Sequence, residues 1–184
     1  MKRLISRGFS LTEVVIAIGI ASFALVALMA LIPVGMTANR SSAEELHASH
    51  LLSLVAADLR NTDPRLNGGK SFFLGLQLPY QVSSGQIAFN TVTLPGDVGL
   101  PVPSACTAGL DGFDNPASLG AVPHPAFQAT VIYLSTPGTG GASPIHARLI
   151  VNWPALGPNA TIAELTDTAK VKGYVETYVT YPAP

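Results

Sequence analysis

The chain has 184 residues, 48% of them hydrophobic and 11% charged, with ten basic side chains against eleven acidic ones. That balance excludes a basic nucleic-acid binder, which needs lysine and arginine in excess to neutralise phosphates. The single cysteine, Cys106, excludes an intramolecular disulfide.

The first predicted element is a membrane helix. After the start MKRLISR, the stretch Val14 to Ile32 holds 19 consecutive residues without a charge, Ser22 being the one polar side chain. At ~1.5 Å per residue a helix of that length spans about 28 Å, close to the ~30 Å hydrocarbon core of a bilayer. Lys2, Arg3 and Arg7 precede the run and Arg40 follows it, so the positive-inside bias places the N-terminus in the cytoplasm and the rest across the membrane. A cleaved secretory signal would have a shorter apolar core and an A-x-A-like site; here only Gly35-Met36-Thr37 and Met36-Thr37-Ala38 follow. A signal anchor fits the length better. Glu13 stands at the mouth of the run, where a carboxylate at a helix start is favoured by the macrodipole.

The order of these residues is specific. A basic leader, Gly8, then Phe9-Ser10-Leu11-Thr12-Glu13, then the apolar stretch closely resembles the class III signal of type IV pilins and of the pseudopilins of type II secretion systems. The resemblance covers about residues 1–35, and the stretch GFSLTEVVIAIGIASFALVALMALIPVG is also similar to the Verru_Chthon cassette protein B family of prepilin-type proteins. It implies cleavage by a prepilin peptidase between Gly8 and Phe9, N-methylation of Phe9, and assembly in which Glu13 meets the N-terminal amine of a neighbouring subunit. Physically, cleavage would set a cationic amine four residues before an anion, and a carboxylate in lipid costs roughly 2.5–3.5 kcal/mol unless paired. Losing Lys2, Arg3 and Arg7 would leave seven basic against eleven acidic residues, a net charge of −4.

The next element is an amphipathic helix over about residues 41–61. Ala48, Leu51, Leu52, Val55 and Leu59 recur at helical spacing, with Glu44, Glu45, Asp58 and Arg60 mostly elsewhere around the wheel. Pro33 and Gly35 predict a bend or break between the two helical halves, and Ser41 with Glu44 reads as a capping box that restarts the helix. Pilins carry a proline a little earlier. Asn61 to Gly69, NTDPRLNGG, ends the helix.

From Lys70 onward the chain predicts strands at Ser71–Leu78, Gln86–Leu94, Phe127–Ser135, His146–Trp153 and Gly173–Tyr181, the last alternating cleanly as GYVETYVTY. A helix laid on an antiparallel sheet is an α+β fold. This agrees with the pilin-like fold that the resemblance implies. Between the second and third strands, Pro95 to Pro125 holds six prolines and five glycines and reads as a long loop, either functional or simply solvated.

Inside that loop, DGFDN offers Asp111, Asp114 and Asn115 as oxygen ligands for Ca²⁺, which the resemblance supports because major pseudopilins bind calcium near their C-terminal loops. No glutamate follows at the twelfth position of an EF-hand, and an Asx-rich turn is the competing reading. No other cofactor is expected. His47 and His50, three apart on a helix, lack a third metal ligand and read as a solvated or inter-subunit face. His124 and His146 lie in the proline-rich loop and at a strand start, and Ser104 near Cys106 has no nucleophile arrangement. No G-x-S-x-G, H-E-x-x-H or phosphate-cradling loop occurs, so no enzyme is expected. Many type IV pilins close a C-terminal loop with a disulfide; this chain departs from them, toward pseudopilins and minor pilin-like proteins.

The organisation expected is a leader (1–8), a transmembrane helix (9–36) and an exported globular domain (37–184, β-rich from 70). The expected role is a structural subunit, major or minor, of a type II secretion or type IV pilus-like filament. The resemblance implies a prepilin peptidase, other pilin or pseudopilin subunits and the bacterial inner membrane as partners, with no nucleic acid. The alternative is an exported binding module held by an uncleaved signal anchor.

Overall fold

A computed structural model describes residues 10–63, 66–83, 86–89, 102, 106–120, 125–134 and 144–181. Contacts within the chain divide it into residues 1–43 and 44–184. Gly8, Phe9, His124 and Ser104 lie outside the described residues.

Helix α1 runs without interruption over Leu11–Asn61. In its first part every residue from Leu11 to Ala43 is exposed, the apolar run included, and the helix is long and apolar enough to cross a membrane near the N-terminus. The predicted break at Pro33 and Gly35 does not occur. Pro33 sits inside the helix, and the Thr37 hydroxyl donates to the Pro33 and Val34 carbonyls at 3.1 and 2.9 Å. A proline forfeits one backbone hydrogen bond, whereas breaking the helix would forfeit several. The predicted restart at Ser41 is likewise absent: the Ser41 hydroxyl donates back to the Ala38 carbonyl at 3.3 Å, as a mid-helix serine does.

In residues 44–184 the predicted stripe is the buried one: Ala48, Leu51, Leu52, Val55 and Leu59 are the buried residues of α1. They belong to one apolar core with the strands of a five-stranded antiparallel sheet. Its strands are β3 (Thr107–Leu110), β4 (Pro116–Ala117), β5 (Phe127–Tyr133), β6 (Ile145–Trp153) and β7 (Gly173–Tyr181), in the order β4-β3-β5-β6-β7. The longest ladder pairs Ile145 with Tyr181 through to Trp153 with Gly173. A separate hairpin joins β1 (Tyr80–Ser83) to β2 (Gln86–Phe89). The result is an α+β arrangement.

Register and the two-residue period of a strand sort the sheet into faces. Ala129, Val131 and Tyr133 share a face with Ala147, Leu149 and Val151 and with Val175 and Val179, and the helix stripe joins that face in the core. The opposite face carries Gln128, Thr130, Asn152 and Ile150, all buried, because the segment after β6 folds over it. There the Gln128 carboxamide oxygen accepts from the Leu156 amide at 2.9 Å, its Nε2 donates to the Gly157 carbonyl at 3.3 Å, and the Val102 amide donates to the Ala160 carbonyl at 3.1 Å. This segment includes the one-turn helix α2 (Ile162–Leu165), whose start is a full capping box between Thr161 and Glu164.

Two further expectations fail in instructive ways. Ser71–Leu78 is a turn, with only an isolated bridge between Lys70 and Gln77. Its amides are spoken for by side chains: Asp58 accepts from Phe73 at 3.0 Å and Leu74 at 3.1 Å, Thr62 from Phe72 at 3.2 Å, and Ser71 Oγ from Leu76 at 3.0 Å. Gly75, at φ 66°, turns the chain. The proline-rich stretch 95–125, read as loop, contains β3 and β4. Gln86–Leu94 is a strand over Gln86–Phe89, and residues 90–94 lie outside the described residues.

Candidate functional site

The start of α1 is built by two residues of the signal-like motif. The Ser10 carbonyl accepts the first helical bond, from the Val14 amide at 3.2 Å, which makes Ser10 the N-cap. The Glu13 amide donates to Ser10 Oγ at 3.4 Å while Glu13 Oε2 accepts from the Ser10 amide at 3.3 Å. This reciprocal pair is a capping box and satisfies two donors that a helix end otherwise leaves open. Glu13 thus has a local partner as well as a favourable place on the helix dipole. Both side chains are exposed, so the carboxylate remains open to a second contact.

The DGFDN segment forms the turn between β3 and β4. Asp111 is consumed by it: its Oδ1 accepts from the Phe113 amide at 2.8 Å and the Asn115 amide at 2.9 Å, and Asn115 Nδ2 donates to its Oδ2 at 3.2 Å. The Asn115 and Phe113 amides hold the Asp111 carboxyl below its ordinary range, because they bond only the charged form strongly. Asp114 turns elsewhere, its Oδ1 lying 2.5 Å from Nε2 of His47. The three residues proposed as calcium ligands therefore make an Asx turn plus one tether to the helix. Among the described residues no group of three or more His, Cys, Asp or Glu side chains is placed to hold a metal ion.

The remaining sequence candidates separate. His47 is half-buried and its ring packs on Phe127 at 4.9 Å between centroids, so it does not belong to a solvated face; His50 is exposed. His146 Nδ1 lies 3.1 Å from the Thr180 hydroxyl across the β6–β7 ladder. Cys106 is buried, and burial pushes its thiol up to about 12, so it is not a thiolate at neutral pH.

Sequence reasoning missed a shallow cavity of about 520 Å³ at the end of α1, lined by Leu54, Asp58, Leu66, Phe72 and Phe73. Phe72 is 85% exposed. The two adjacent phenylalanines were the available signal, masked by reading them as strand. Compared with known protein families, curated proteins and solved structures, the chain matches none.

Proposed function

We propose that this protein is a structural subunit of a type II secretion or type IV pilus-like filament, processed by a prepilin peptidase between Gly8 and Phe9 and assembled through its N-terminal helix. The observation that carries the reading is the ordered set at the start of the chain: three cations, Gly8, an aromatic, Glu13 and then the apolar run. Three features of the molecule support it. The apolar run is helical from Leu11 and its side chains are exposed, as segments that bury themselves in lipid or in neighbouring helices must be before assembly. Glu13 lies in the first turn with its carboxylate exposed, four residues from the amine that cleavage would create. The rest of the chain forms a helix-on-sheet domain, the α+β arrangement that the resemblance implies. On this reading the N-terminus lies in the cytoplasm, the globular domain beyond the bacterial inner membrane, and the role is non-enzymatic, with no cofactor.

The test is the state of the N-terminus. The membrane-bound protein should begin at Phe9, and Gly8→Val should leave the precursor uncut, since any Cβ adds bulk where the peptidase must grip the backbone. An N-terminal sequence of Met1 or Lys2 in the wild type would overturn the proposal. A second reading, a binding module on an uncleaved anchor, is favoured by the Ser10–Glu13 capping box, which gives Glu13 a purpose without any neighbour.

A further inference from the structure

The two edges of the five-stranded sheet differ. An edge strand presents unpaired amides and carbonyls, and proteins blunt such rows with short strands, prolines, lysines or bulges. Strand β4 is blunted in two of these ways, being two residues long and beginning with Pro116. Strand β7, at the opposite edge, is nine residues long, GYVETYVTY, and holds no proline or lysine. Its outward groups follow from register. The Leu134 amide donates to the His146 carbonyl at 2.8 Å, so His146 turns its backbone groups toward β5, and alternation along an antiparallel strand turns those of Ile145, Ala147, Leu149, Val151 and Trp153 toward β7. Their partners Tyr181, Val179, Thr177, Val175 and Gly173 are thereby spent on β6. The amides and carbonyls of Tyr174, Glu176, Tyr178 and Thr180 aim off the edge, and among the described residues none of them has a backbone partner.

The side chains along this edge define what fits it. On the helix side a cleft of about 280 Å³ opens between α1 and β7, lined in part by Leu52, Ala56, Arg60, Thr177 and Val179. Arg60 is exposed and joins none of the ion pairs among the described residues. On the other side Tyr174 and Tyr178, 38% and 61% exposed, flank Glu176, whose carboxylate already accepts from Arg148 Nε at 2.9 Å. We infer that β7 is a docking edge for an extended segment of a partner protein, which adds a sixth strand, seats a small apolar side chain in the cleft and offers a carboxylate to Arg60. The backbone row calls for an extended chain, because a strand supplies donors and acceptors in turn at the spacing of the edge. Arg60 sets the charge of that chain, since a guanidinium is matched best by a carboxylate. A second copy of β7, aligned antiparallel along its full length, would bring Val175, Thr177, Val179 and Tyr181 to the helix side and no carboxylate, so the occupant is a different segment. The inference rests on residues 44–184 and does not depend on how the N-terminus is processed.

The experiment uses the full-length protein in detergent micelles and a fluorescent synthetic peptide as long as β7, alternating valine and threonine, with one valine replaced by glutamate. Binding should be saturable by fluorescence anisotropy. Amide exchange should slow on binding at Tyr174, Glu176, Tyr178 and Thr180, and far less at Val175, Thr177 and Val179, which are bonded to β6 already. Two further peptides, N-methylated on the threonine amides or on the valine-side amides, separate strand addition from general adhesion: the one whose methyl groups meet β7 should bind at least about tenfold more weakly, the other like the parent. In the protein, Tyr178→Pro removes an outward amide at an edge position that tolerates proline, and should weaken binding to a similar extent while the melting temperature is kept. Arg60→Gln, or glutamine for glutamate in the peptide, should weaken it about two- to fivefold, the size of an exposed ion pair. Four results would overturn the inference: no saturable binding, equal binding of the two methylated peptides, unchanged binding by a folded Tyr178→Pro variant, or protection of the outward amides that rises with protein concentration in the absence of peptide, as pairing between copies would give.

Discussion

At the scale of single residues, Glu13 has one use within its own chain and a second on the proposed filament reading, and the two predict different things. As a helix cap it bonds the Ser10 amide within its own chain. As an assembly residue it would meet the Phe9 amine of a neighbour in a low-dielectric setting, where an ion pair is worth more than in water. Glu13→Gln separates them, because glutamine still accepts from the Ser10 amide and suits a capping box but has no charge to offer. Insertion and cleavage should be normal in Glu13→Gln, while cysteine cross-linking between neighbouring transmembrane helices should fall severalfold. Equal cross-linking would leave Glu13 with the cap alone. Glycine at two other positions is likewise explained by contact. A Cβ on Gly173 would come within 2.5 Å of the Trp153 ring, and one on Gly109 within 2.5 Å of the Ala117 carbonyl; each glycine is paired directly opposite that residue in the sheet.

At the scale of elements, the second part of α1 holds the domain together. Its stripe of five buried residues faces strands β5 to β7, and Val55 is 1% exposed near the middle of that stripe. Replacing Val55 with Asp would set an unpaired carboxylate in the core at a cost of about 3–5 kcal/mol, lowering the melting temperature by about 10 °C or more. A Val55→Asp variant that melts with the wild type would mean that the stripe does not carry the core. The ends of the shorter elements are held by side chains instead. Thr161 and Glu164 cap α2, and Glu164 also pairs with Lys170. That pair and the Thr161 bonds hold the Glu164 carboxyl down to about 2, so its support for the α2 segment is complete above the ordinary glutamate range near pH 4.3 and is lost only as the pH falls toward 2.

At the scale of the whole molecule, the chain divides into two units after Ala43, and they differ in what satisfies them. Residues 11–43 leave every side chain exposed, whereas the sheet, the stripe and the segment over the second face complete a core among residues 44–184. A fragment beginning at Thr37 should therefore fold without detergent, checked by a cooperative thermal transition and a sedimentation profile free of aggregates. Aggregation that only detergent relieves would mean that the globular unit needs the apolar run for its own core.

What could be read from the sequence was whatever a repeat in one dimension determines. The helical spacing of Ala48, Leu52, Val55 and Leu59 named the buried stripe, the alternation of Gly173–Tyr181 named the last strand to its end residues, and the charge-free run named the long apolar helix. Each follows from burial on one face, and burial on one face leaves a period. The tertiary structure decided the rest, for reasons that leave no period. Pro33 continues the helix because one lost hydrogen bond costs less than the several that a break would forfeit. Ser71–Leu78 is a turn because Asp58 and Thr62, a helix away, bond its amides. Asp114 lies against the helix because the fold brings His47, 67 residues earlier, to its carboxylate. The Ser10–Glu13 box was legible as S-x-x-E before an apolar run, yet Ser41 and Glu44 share that spacing. Only a helix already begun at Leu11 decides between them, since a cap is needed where the first amides lack partners and nowhere further along.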